Sequence, residues 1–519
     1  GSKREEGVPA LRENAPPTSR GRYCAGPLDA PFQHRENGFD DYQKQVLLPH
    51  KMSQFGPALT KGDLNGDGWE DFMIGGGMGQ AGAVYLQQAE GFVPMPQPIL
   101  EEDRVFEDLD AELFDADGDG DLDLYVVSGG NALKPNSGLY QDRLYINDGK
   151  GNLSRNIEAL PSCYDSGSCV RPADIDQDGD LDLFVGGRHL PWSYPEPANS
   201  RILLNEGGRF RDVTESWAPD FLPLGLVTDA QWTDYNQDGL LDLMIVGEWM
   251  PITLFEQQAD QRFTKVAVDG LDQTNGWWYS LLAQDLDGDG KDEYVAGNLG
   301  QNYKYQSSET EPFEVFYNDF DNNGTKDIVL SYYNFGEKFP LRGRSCSSQQ
   351  VPMLKKKFPT YDLFADSDLE SIYGERKLNT SLQYQAETFA SVCLQPKADG
   401  GFAVRPLPNE AQVSSINVSL AEDFDQDGQL ELLIAGNLYT SEVETPRNDA
   451  GVGLLMKGNL AEGWQVMPSK ESGVMLPYDV KDMVSLNRPD GSRWIVVACN
   501  DDQLRLLATR APNRSQNGK

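Results

Sequence analysis

Seven stretches of this 519-residue chain repeat one arrangement of oxygen donors, D-x-[DN]-x-[DN]-G-x-x-[DE], and each runs on into an apolar segment. Positions 1, 3, 5 and 9 are Asp63, Asn65, Asp67 and Asp71 in the first copy and Asp115, Asp117, Asp119 and Asp123 in the second. Asp174, Asp176, Asp178 and Asp182 form the third, and Asp234, Asn236, Asp238 and Asp242 the fourth. The last three are Asp285, Asp287, Asp289 and Glu293, then Asp319, Asp321, Asn323 and Asp327, then Asp423, Asp425, Asp427 and Glu431. Position 7, whose carbonyl would complete the set, is Trp69, Asp121, Asp180, Leu240, Lys291, Thr325 and Gln429 in turn. These groups make a tight shell of hard oxygens around one point, and the glycine at position 6 permits the sharp turn. Such a shell suits calcium. Magnesium prefers a small octahedron and keeps its waters, and zinc or iron would call for histidine or thiolate. The expectation is up to seven structural calcium ions.

An EF-hand begins with the same letters but requires a glutamate at position 12 and flanking helices. Here position 12 is Ile74, Val126, Val185, Ile245, Ala296, Leu330 and Ile434. Each loop therefore leads into a strand, as in Asp71-Phe72-Met73-Ile74.

The elements that must position these loops follow from their spacing. Successive first aspartates lie 52, 59, 60, 51, 34 and 104 residues apart, and the first four steps each match a unit of four short strands. The reading is an all-β fold: a β-propeller of four-stranded blades with the acidic loops between strands A and B and a small, partly helical insertion at 335–410. The 34-residue step leaves two counts open, seven blades with the 285 and 319 hairpins sharing one, or eight. A degenerate copy from Asp482 to Leu507 lacks the ligands. An outer strand from Pro31 to Glu36 would close the ring. The propeller is placed at 23–511, between a flexible tether at 1–22 that begins with a Gly1-Ser2 cloning scar and a frayed tail at 512–519.

Net charge is −38, and 25 carboxylates lie at the four ligand positions of the loops, so much of the acidity is loop chemistry. The remainder disfavours nucleic acid or an anionic membrane surface as partner. Six cysteines in an acidic chain read as three disulfides in an oxidising compartment. Cys163 pairs with Cys169 across a short loop, and Cys346 with Cys393 and Cys24 with Cys499 follow by elimination.

The loops and their Ile-Gly-Gly, Val-Gly-Gly and Ala-Gly-Asn endings resemble the FG-GAP/VCBS repeats of integrin alpha subunits and of the cartilage acidic protein family. The segments Gly186-Gly187-Arg188, Gly247-Glu248-Trp249-Met250-Pro251 and Gly276-Trp277-Trp278 are similar to those of VCBS-repeat proteins exported by Bacteroidota. That resemblance implies calcium binding and a cell-surface or extracellular position, as an outer-membrane lipoprotein whose lipid-bearing N-terminus has been removed. It implies no particular ligand.

On the face opposite the calcium loops, the other connections would gather Arg171, Arg188, His189, Trp192, Tyr194, Trp249, Trp277, Trp278, Tyr279, Asn298, Tyr303, Asn437 and Tyr439. Exposed aromatics stack on sugars or anchor proteins, and arginine holds carboxylates. The expected function is non-catalytic capture of a surface protein, an outer-membrane complex or a glycan on this face. For Trp249, Trp277 and Trp278 the alternative is packing between blades. The alternative function is a polysaccharide lyase, with His189 or a tyrosine as base and Arg188 neutralising a uronate.

Overall fold

The computed structural model describes residues 23–27, 32–398, 400–425, 427–459, 463–489 and 491–509. The expected tether and tail lie outside them. Among the described residues the chain forms four-stranded antiparallel sheets, two of them joined edge to edge where Glu248 pairs with Trp277 and Met250 with Gly276, and eight short α-helices.

Seven sheets follow one another around an axis. Sheet I holds Leu59–Gly62, Asp71–Ile74, Ala83–Gln88 and Gly91–Met95. Sheet II holds Asp108–Phe114, Asp123–Ser128, Arg143–Asn147 and Leu153–Arg155. Sheet III holds Gly167–Ala173, Asp182–Gly187, Arg201–Asn205 and Phe210–Asp212. Sheet IV holds Leu226–Thr233, Asp242–Met250, Thr253–Gln257 and Phe263–Val266. Sheet V joins Gly276–Gln284 and Glu293–Asn298 to the later strands Val392–Pro396 and Phe402–Pro406. Sheet VI holds Val418–Glu422, Glu431–Ala435, Leu454–Asn459 and Gly463–Met467. Sheet VII holds Val480–Asn487, Arg493–Cys499 and Arg505–Thr509, with Tyr23–Pro27 on its outer edge. The first strand of each sheet touches the first strand of the next, and sheet VII touches sheet I, which closes the ring.

Burial follows strand position. Every residue of the second strands in sheets II to V is buried, because neighbouring sheets cover both faces. This is why those runs read as continuously apolar rather than alternating. First strands such as Asp108–Phe114 bury only about every third residue and turn polar side chains to the axis.

Two expectations change here. The edge strand that completes sheet VII is Tyr23–Pro27, not the stretch from Pro31 to Glu36. The 319 hairpin does not share a sheet with the 285 hairpin. Phe313–Asn318, Asp327–Asn334, Glu337–Pro340 and Leu382–Ala386 form an eighth sheet, interposed between the two halves of sheet V together with the helices from Arg344 to Asn379. Its Phe313, Val315, Tyr317, Ile328, Leu330 and Ala386 pack into one core with Trp249, Trp277, Tyr303 and Tyr305. Trp249 and Trp277 lie at the ends of strands remote from the acidic loops, so the interposed sheet caps the opposite mouth of the ring.

Candidate functional site: acidic loops and a covered mouth

The loop geometry repeats closely. In the first, Asp63 accepts the backbone N–H groups of Asp67 (3.1 Å) and Gly68 (2.7 Å), and Asn65 accepts that of Asp67 (2.9 Å). Asp71 accepts Leu64 N–H at 3.1 Å on one oxygen and Gln87 N–H at 2.7 Å on the other. The sixth-position glycines all adopt left-handed φ, from 85° at Gly239 to 103° at Gly179. A side chain there would strain the turn.

Five of the loops bring ligand atoms of three acidic residues within 4.8 Å of one another: Asp115, Asp117 and Asp123; Asp174, Asp176 and Asp178; Asp285, Asp287 and Asp289; Asp319, Asp321 and Asp327; and Asp423, Asp425 and Glu431. Burial, with neighbouring carboxylates adding to it, pushes the ninth-position acid up to about 6 at Asp71 and Asp123 and to about 7 at Asp182, Asp242, Glu293 and Asp327. Buried oxygens of Asp121, Asp176, Asp180 and Asp242 have no hydrogen-bond donor. Crowded carboxylates with unpartnered oxygens are a donor set that fits a hard divalent cation. Such an ion would neutralise them and draw the position-7 carbonyl into its shell.

The 423 loop differs. The Lys457 ammonium pairs with Asp425 and lies 3.0 Å from both Asp427 and Glu431.

A set of residues the motif does not reveal ties loop to loop. The third strand carries Asn147, Asn205 and Gln257, whose backbone N–H groups bind the ninth-position acid of their own loop. Their side-chain amides donate to Leu64, Ala116 and Ile175, the second residue of the preceding sheet's loop. Asn147 and Asn205 also donate to Leu122 and Leu181 within their own loops. The sequence signal was the recurrent Asn-Asp-Gly and Asn-Glu-Gly after the third strand, legible as a turn but not as a staple.

At the other mouth, the residues expected on the surface are mostly inside. Arg188 pairs with Glu248 at 3.1 Å and stacks on Phe55, and Tyr194 donates to the same carboxylate at 3.0 Å. Trp249 donates to Tyr194 at 2.5 Å. His189 is fully buried against Asn131, with its pKa lowered to about 3 by burial, which leaves it without the solvent contact a lyase base needs. Trp277 and Trp278 are fully buried; Trp278 donates to Thr274 O. Asn298 and Asn437 are buried backbone binders, and Tyr303 lies under the cap. Trp192 is half-buried with Lys44 over its ring, and Tyr439 is half-buried beneath Arg447. Arg171 and the half-buried Tyr279 instead face the axis, where a cavity of about 540 Å³ also takes in Asp110, Glu112, Asp229 and Asp482. Arg171 ties sheet III to its two neighbours there, pairing with Asp110 of sheet II and Asp229 of sheet IV.

The expected Cys163–Cys169 and Cys346–Cys393 disulfides are not formed, and the Cys24–Cys499 pairing reaches outside the described residues. Cys163, Cys169, Cys346, Cys393 and Cys499 are free thiols, and the side chain of Cys24 lies outside the described residues. Cys169 points into sheet III beneath Gly186, away from the 163 loop. Cys393 is buried between sheets V and VI, whereas Cys346 sits on the cap beside Glu444.

Three stretches, 63–126, 115–185 and 234–296, match the family described as FG-GAP-like repeat. No curated protein matches it. Among solved structures it is similar to the V. cholerae biofilm matrix protein Bap1, at 12% identity and TM-score 0.34 over 93% of this chain and 91% of that one. It is also similar to YCF48 from Cyanidioschyzon merolae, at 9% identity and TM-score 0.40 over 89% and 97%. Saccharomyces cerevisiae Sqt1 matches at 11% identity and TM-score 0.39 over 89% and 97%.

Proposed function

We propose that this chain is a non-catalytic interaction module, a seven-bladed propeller stabilised by calcium at its acidic loops, that engages a protein partner through the cap. Sheets I to VII are the blades, and the cap is an addition to blade V. One observation carries the choice of surface. Five of the twelve exposed large apolar side chains among the described residues, Tyr332, Phe335, Met353, Tyr361 and Leu363, belong to the interposed unit, and Phe335 at its hairpin tip is 99% exposed. Apolar side chains gathered on a soluble surface mark contact sites more often than scattered ones do. Val443, also 99% exposed, adjoins the same unit, since Glu442 pairs with Arg342 and Glu444 with Cys346. We place the protein outside the cell, as a surface-attached lipoprotein, where calcium is abundant enough to fill loops of ordinary affinity. The loops and the resemblance to exported proteins support this position.

A photocrosslinking residue at Phe335, installed in the natural host, tests the surface. The expected result is a discrete adduct that is missing when the probe replaces Ile157, which is 75% exposed in the turn after the last strand of sheet II, and that weakens when Tyr361 and Leu363 are changed to serine. Equal labelling from both positions, or none from 335, overturns the assignment.

A further inference from the structure

We infer that the 423 loop takes its positive charge from the chain itself, the Lys457 ammonium occupying the place where the other loops are built to hold a divalent cation. This rests on the calcium reading of those loops and divides them into two kinds.

The geometry is specific to one strand position. Lys457 lies on the third strand of sheet VI, one residue beyond the pair Leu432 and Met456. The corresponding residues in sheets I to V follow Tyr85, Tyr145, Leu203, Phe255 and Leu394, and they are Leu86, Ile146, Leu204, Glu256 and Gln395. Only sheet VI places a cation there. Its Nζ meets Asp425, Asp427 and Glu431 together, which are positions 3, 5 and 9 of the loop. An ammonium has three donors and no need of a shell of six to eight oxygens, so three carboxylates satisfy it. A calcium ion at the same point would have to expel the ammonium while sharing its carboxylates.

Two comparisons narrow the reading. Lys377 also approaches a loop, but it bonds the Asp319 carbonyl and the Asn322 amide oxygen, leaving the three acids of that loop to one another. Sheet VI also places Gly458 where sheets II to IV have Asn147, Asn205 and Gln257. Its loop therefore makes no amide staple of that kind, as in sheet V, where Pro396 holds the same register, so the lysine alone sets the 423 loop apart.

Ion counting by native mass spectrometry after dialysis against calcium decides the matter. Asp423→Asn/Asp427→Asn should bind as many ions as the parent, and Lys457→Leu, which installs the kind of residue found in sheets I to III, should bind one more. Asp115→Asn/Asp119→Asn, the control, should bind one fewer. Loss of an ion from the 423 variant, or no gain with Lys457→Leu, overturns the inference. A control that keeps the parent count refutes the calcium reading of its loop instead, while the gain or absence of an ion with Lys457→Leu still decides the role of the lysine. Should Lys457→Leu not fold, Lys457→Met keeps the stem length and is read the same way.

Discussion

At the scale of single residues, the contrast between Arg188 and the loop acids shows what a sequence conveys. Donor type, spacing and the sixth-position glycine are local properties, so the loops were legible down to the turn conformation. Whether Arg188, Tyr194 and Trp249 face water depends on what covers them, and nothing within their own segments records that. The pair they form is internal: the Arg188 and Glu248 side chains are 5% and 0% exposed. Arg188→Ala would leave the Glu248 carboxylate buried beside His50, which burial keeps neutral, and removing one partner of a buried pair typically costs about 3–5 kcal/mol. Urea unfolding in calcium should show a loss of that order. A change under about 0.5 kcal/mol, typical of surface positions, would contradict the buried placement.

Between elements, the strand pairing of each hairpin was readable because the acidic turn marks where the chain reverses. The placement of the interposed unit was not, because the 319 loop has the same letters as the ring loops and only long-range pairing separates them. Strands 293–298 and 392–396 are neighbours in sheet V although the whole cap intervenes. The amide staples were likewise invisible, since a contact between Asn205 and Ala116 spans 89 residues. Asn205→Ala would strip a donor from the buried carbonyl of Ala116 and from that of Leu181. The expected cost is about 1–3 kcal/mol. It should appear as a lower urea midpoint with an unchanged slope.

For the whole molecule, the acidic loops act together. Without metal, burial holds the ninth-position acids Asp71, Asp123, Asp182, Asp242, Glu293 and Asp327 at about 6 to about 7, above the usual values of 3.8 and 4.5. A carboxyl whose pKa is raised by folding contributes stability while protonated and loses it as pH rises through the folded value. In chelator, the melting temperature should therefore climb as pH falls from 8 to 6. Below about 6.5 the gain is opposed, because His34 and His189, lowered to about 3, favour the unfolded chain there. Added calcium should raise the melting temperature most at pH 8 and progressively less toward pH 6. A calcium effect independent of pH would argue against these acids as its ligands. The closure of sheet VII carries a different consequence. Its outer strand pairs Tyr23 with Thr509 and Pro27 with Arg505, so first and last strands meet only when synthesis is nearly finished. Until then the apolar flanks of sheets I and VII have no neighbour to bury them, and the emerging polypeptide stays an open arc. The ring therefore cannot lock before its final strand arrives.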